Sequence, residues 1–101
     1  LGANVIRRDL GSEAIRKITS LLKQSIQYSL SHRQEGLEYA MVYARDMESD
    51  STLADRFVGM YVNDYTLDYG QRGRAGVHEL LSRGYQSGII KSPVEIDFVE
   101  L

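Results

Sequence analysis

His32 and His78 are the two histidines of the chain, and histidine is the side chain best matched to general-base work near neutral pH. Such work needs a second group to orient the ring and a substrate within hydrogen-bond reach. Neither histidine has such a partner at a telling spacing. His32 falls at a helix boundary and reads as a capping residue; His78, beside Val77, reads as a solvated helix position. Asp46, Glu48 and Asp50 stand close together, but the stretch lacks the turning glycine and the distal bidentate glutamate of a calcium loop, so it reads as a solvated helix junction. The run Gly70-Gln71-Arg72-Gly73-Arg74-Ala75-Gly76 has the glycines of a phosphate loop. It lacks the lysine followed by Ser or Thr, and no strand precedes it. Its arginines read as the first turns of a helix. Ser20, Ser25, Ser29 and Ser31 lie near one another, yet no Gly-x-Ser-x-Gly elbow presents any of them as a nucleophile. The sequence has no cysteine, which excludes disulfides, thiolate metal sites and a catalytic thiol and fits a reducing cytoplasm.

Seven tyrosines are many for this length, and four fall between Tyr61 and Tyr85. Interleaved with arginines, they have two uses: stacking on nucleic-acid bases, or packing. The net charge of −2 favours packing and argues against a nucleic-acid partner, because phosphate binding needs a basic surface. Basic residues are scattered, and the one Arg-Arg pair, Arg7-Arg8, is followed at once by Asp9. Asn63, Asp64 and Asp68 read first as turn formers, with a cleft role as the alternative.

The elements that must position these groups follow from periodicity. Residues 1–10 read as a strand-like leading run around the β-branched Val5 and Ile6. Gly11 and Ser12 punctuate, with Ser12 as N-cap and Glu13 at the positive helix end. A first helix is expected over residues 13–30, with Ile15, Ile18, Leu22, Ile26 and Ser29 on one face. Ser31 and Gln34 have capping-box spacing before a second helix reaching Met47, whose stripe is Leu37, Ala40, Met41 and Ala44. A third, capped by Asp50 or Ser51, carries Leu53, Phe57, Met60 and Tyr61 on one side. Residues 63–70 read as a connection. A fourth helix spans residues 71–86, with Val77, Leu80 and Leu81 inward. Gly73, Gly76 and Gly84 each weaken it by about 1 kcal/mol relative to Ala, which close packing would explain. Gly88 is the expected stop. Val94, Ile96 and Phe98 then alternate with Glu95 and Asp97 as in a half-buried strand.

This gives an α+β expectation: mostly α, with a short strand at each end. The length of 101 residues suits one small domain or a fragment. A hydrophobic content of 43% with 26% charged residues is ordinary for a globular chain. No apolar run approaches a membrane span. The chain opens on Leu1 inside a strand-like run, so further upstream sequence is expected.

Particular residues resemble those of 1,4-dihydroxy-6-naphthoate synthases. The opening Leu1-Gly2-Ala3-Asn4-Val5-Ile6-Arg7-Arg8-Asp9-Leu10-Gly11 is similar to the family's segment returning to its first lobe. Ser25-Ile26-Gln27-Tyr28-Ser29-Leu30-Ser31-His32 is similar to its Ser-x-x-Tyr-Ala-Leu-x-His helix end, and Glu35-Gly36-Leu37-Glu38-Tyr39 continues in register. The most specific stretch is Tyr61-Val62-Asn63-Asp64-Tyr65-Thr66-Leu67-Asp68-Tyr69-Gly70, which resembles Tyr-Val-Asn-x-(aromatic)-(Ser/Thr)-Leu-Asp-x-Gly. Up to Gly88 nearly all of this chain is covered, matching only a C-terminal portion of the family's length. The related chorismate dehydratases resemble the Asn63 to Gly70 signature less.

The resemblance implies a fold and an activity. The fold is a type II periplasmic-binding-protein-like pair of α/β lobes around a cleft. The activity is a cytoplasmic lyase of the futalosine route to menaquinone. It converts cyclic dehypoxanthinyl futalosine to 1,4-dihydroxy-6-naphthoate without metal or redox cofactor. The family's proposed histidine base precedes the part present here, so His32 and His78 do not inherit it, and the chain alone is expected to be inactive. Leu1 and Gly2 match the hinge edge of the cleft and are the substrate-contacting candidates, through backbone. Without the upstream lobes the faces led by Ile15, Ile18, Leu22, Phe57 and Leu80 lose part of their cover, and homodimer formation through them is expected. Three other functions compete with the enzyme fragment: a non-catalytic helical interaction module, a small ligand-binding domain and, most distantly, a DNA-binding domain.

Overall fold

The structure, a computed structural model, describes residues 3–43 and 51–101. Its first regular element is a 3₁₀ turn, Arg8–Leu10. Helix α1 then spans Ser12–Ser31, α2 Arg33–Met41, α3 Ser51–Tyr61, α4 Asp64–Leu67 and α5 Gly70–Gln86.

Most helix positions agree with the periodicity, while several ends do not. The residue before α1 is Gly11, at φ +82°, and Ser12 is already helical. A positive φ is a conformation that glycine adopts without steric cost. The expected capping box at Ser31 does not form. Ser31 is the last residue of α1, and its hydroxyl donates to the Gln27 carbonyl at 2.9 Å. Helix α2 ends at Met41, and Val42 and Tyr43 form a turn. Ala44, Met47 and Asp50 lie outside the described residues, as does the side chain of Ser51.

Residues 63–70, expected as a connection, hold a one-turn helix. Asn63 and Thr66 cap it reciprocally: Asn63 Oδ1 accepts the Tyr65 N–H at 3.0 Å, and the Thr66 hydroxyl accepts the Asn63 N–H at 3.0 Å. The turn-forming chemistry was read correctly, and here it starts a helix. Gly88 stops the chain after α5 as expected, at φ +76°, with its N–H on the Tyr85 carbonyl at 3.0 Å.

The two terminal strands are corrected by the structure: no strand occurs among the described residues. Residues 3–7 are irregular, and Val5 is 93% exposed. In residues 94–99 the alternation survives as burial, with Ile96 and Phe98 half-buried and Glu95 and Asp97 exposed. This segment lies against α5, through Phe98 and its neighbours. A helix satisfies its own backbone hydrogen bonds and offers no ladder to pair with. The described chain is therefore helical, and the α+β expectation with its two-lobe α/β frame does not hold for it.

Packing is shallow. Helix α1 touches the 3₁₀ turn, α2 and α4, and α2 touches α3. Ala54 is the single fully buried hydrophobic residue among those described. Along α3 the inward strip is Ala54 and Val58, while Leu53, Phe57, Met60 and Tyr61 are about half exposed or more. This helix is apolar nearly all round, so the bundle takes the strip where small Ala54 lets α2 approach, and the sequence-predicted stripe faces out. Leu80, expected inward on α5, is also exposed, whereas Val77 and Leu81 are half-buried.

Candidate functional site

A groove of about 320 Å³ runs between α1, α2 and α3. Its apolar lining includes Leu22, Ile26 and Leu30 from α1, Leu37 from α2, and Val58 and Val62 from α3 and its end. These positions recur at helical spacing, which is why each helix turns them to the same side. Asn4 reaches the groove from the leading run. Leu1 and Gly2, the candidate substrate contacts, lie outside the described residues, two positions before Asn4.

The polar side chains of the groove are already engaged. Arg33 joins α2 to α3: its Nε donates to Asp55 Oδ1 at 2.7 Å and its terminal nitrogen to the Asp55 carbonyl at 3.0 Å. Gly59 makes room for this guanidinium, since a Cβ there would lie 3.0 Å from it. The Ser29 hydroxyl donates to the Ser25 carbonyl at 3.0 Å, and the Thr66 hydroxyl to the Tyr61 carbonyl at 2.9 Å. The arrangement can hold an apolar or planar group, but none of its described residues is a free acid, base or nucleophile.

The histidines are elsewhere. His32 is the C-terminal cap of α1; its ring stacks on Tyr28 with centroids 3.9 Å apart, and Nδ1 lies 3.0 Å from the Tyr28 carbonyl. His78 is exposed on α5 and meets the Phe98 ring edge at 5.8 Å. Asp46, Glu48 and Asp50 lie outside the described residues. Among the described residues no three His, Asp or Glu side chains converge as a metal ion requires, and no helix is long and apolar enough to cross a membrane. The glycine-rich run forms the first turns of α5, as its arginines suggested. Tyr61 packs on Phe57 at 5.1 Å and Tyr69 on Phe98 at 6.1 Å, while Tyr65 is exposed.

A second cluster was not foreseen. Phe98 lies among Tyr69, His78 and the guanidinium of Arg74, whose carbon sits 4.9 Å from the ring centre. Arg74 also bonds both carboxylate oxygens of Glu100. That hydrogen bond first, and the charge of Arg74 second, hold the Glu100 carboxyl below its ordinary value. Arg8 pairs with Asp97 and donates to the Glu95 carbonyl at 3.3 Å. Arg7 holds the Asp9 carboxyl low in the same way. No spacing rule could pair Arg8 with Asp97 or Arg33 with Asp55, because the partners are far apart in sequence.

Comparisons with known proteins follow this geometry. The menaquinone biosynthesis family (VitK2_biosynth) matches residues 1–86. A 1,4-dihydroxy-6-naphthoate synthase of Streptomyces coelicolor is 32% identical over 90 residues, covering 89% of this chain and 31% of that protein. One of Thermus thermophilus is 34% identical over 89 residues, covering 88% of this chain and 32% of its own. The chain thus spans about a third of the length of the curated relatives it matches. No solved structure matches it significantly. With the match running from the leading run through α5, the chain belongs to the menaquinone biosynthesis family.

Proposed function

We propose that the chain supplies the C-terminal portion of a 1,4-dihydroxy-6-naphthoate synthase, a cytoplasmic lyase of the futalosine route that releases 1,4-dihydroxy-6-naphthoate from cyclic dehypoxanthinyl futalosine. The observation carrying this reading is identity of about a third to two synthases over nearly all of the chain. In this role the chain contributes a wall of the substrate site. Leu1 and Gly2 touch the small-molecule substrate through backbone, next to Asn4 at the groove. The acid–base chemistry belongs to residues this chain does not hold, so the chain alone is inactive. Alone, it pairs with itself through its apolar faces.

The test is a chimera in which residues 1–90 replace the matched segment of the Thermus thermophilus synthase. Turnover of cyclic dehypoxanthinyl futalosine by the chimera, with none by the 101-residue chain, is expected. A folded chimera without turnover would remove the reading.

A further inference from the structure

The chain exposes more surface than a self-sufficient fold of its mass. Its accessible area is 8658 Å², against about 5,800 Å² for a compact monomer of 11.4 kDa. The surplus is about 2,900 Å² by that scaling. Its radius of gyration is 16.5 Å, against about 13 Å for a compact domain of this length. Stable obligate interfaces bury roughly 1,000–2,500 Å² on each partner, so the surplus is as large as a full permanent interface.

The surplus is apolar and has a place. Leu22, at the rim of the groove, is 41% exposed, and on the same helix Ile18 is 45% and Leu21 58% exposed. Across the groove α3 leaves Phe57 at 46% and Tyr61 at 51%. These are the residues whose periodicity marks a core-facing side. Single exposed apolar residues are ordinary, whereas a set on two helices flanking one groove marks an interaction site.

We infer that the α1–α3 groove and its rims form the docking surface for a polypeptide equivalent to the two-thirds of the synthase relatives that this chain does not match, whether joined to it or separate. The length argues for this occupant: the relatives are about three times as long as the matched segment, and a partner of that size can cover the whole surplus. A second copy of an open, shallow bundle brings its own uncovered surface with it. The inference rests on the synthase reading, from which its partner comes.

The experiment co-expresses the 101-residue chain with the remainder of the Thermus thermophilus synthase carrying an affinity tag. The expected result is a 1:1 complex by light scattering, with loss of the binding of an apolar-surface dye shown by the chain alone. Leu22→Asp is expected to weaken capture by roughly tenfold or more, since it places an unpaired charge in the interface. Ile89→Asp, at an 81% exposed tail position, is expected to leave capture unchanged. Persistence of a homodimer or a monomer beside the tagged partner overturns the inference, as does equal capture of Leu22→Asp. Turnover of cyclic dehypoxanthinyl futalosine is read separately: a complex without turnover counts against the synthase reading and leaves the docking surface standing.

Discussion

Phe98→Ala tests whether the C-terminal segment is a working part of the fold. Phe98 is half-buried and makes edge contacts with Tyr69 at 6.1 Å and His78 at 5.8 Å. Truncating a fully buried Phe costs about 3–5 kcal/mol; at half burial, with the edge contacts included, about 2 kcal/mol is expected. For a chain of this size that lowers the melting temperature by roughly 8–16 °C. Thermal unfolding followed by helical circular dichroism, at one fixed protein concentration, measures it. Phe98→Leu keeps most of the apolar area and loses the ring geometry, so about half of the shift is expected. Ile89→Ala, at a site 81% exposed, is the control. If Phe98→Ala shifts the transition no more than Ile89→Ala does, the segment does not stabilise α5 and the cluster reasoning fails.

Other perturbations separate local causes. In α5, a Cβ at Gly73 would lie 2.8 Å from the Tyr69 Cβ, while Gly76 has open space around it. Gly76→Ala should therefore raise stability by about 1 kcal/mol and Gly73→Ala should lower it, as read in urea titrations. Asn63→Ala removes the acceptor for the Tyr65 N–H and the donor to the Gly59 carbonyl at 3.1 Å; a loss of about 1 kcal/mol is expected in the same assay. The Glu100 carboxyl is depressed by Arg74, so the clasp is present at neutral pH and is lost only as pH falls through that lowered value. The Phe98 ring resonances should hold steady down through the ordinary glutamate range and move below it, and Glu100→Gln should abolish that acid step.

The helices were legible because their signals are local. Ile15, Ile26 and Leu30 repeat at helical spacing, and Gly88 supplies the positive φ that ends α5. The failures have physical causes as well. Alternation at residues 94–99 reports which side chains are covered, and the same pattern serves a strand beside a strand or a segment beside a helix. In α3 apolar residues surround the helix, so periodicity could not say which strip packs. Of the three glycines expected to pack closely in α5, Gly73 and Gly84 do so and Gly76 does not; composition alone holds no record of a neighbour. For the candidate site, the family signature was readable from the residues around Asn63, whereas the groove depends on three helices meeting and leaves no mark at any single position.

The pairing of Arg8 with Asp97 joins residues 89 apart in sequence. Closing a loop of that length costs about 4 kcal/mol in chain entropy, more than an exposed ion pair supplies. That pair cannot pull the ends together; it forms only after the contacts among α1, α2, α3 and α4 have already done so. Most of those contacts join helices that are neighbours along the chain, so the bundle assembles quickly from local pieces and the clasp comes last. A fluorescent donor and acceptor flanking Arg8 and Asp97 would thus report completion of folding, while labels at the two ends of α1 would report its onset.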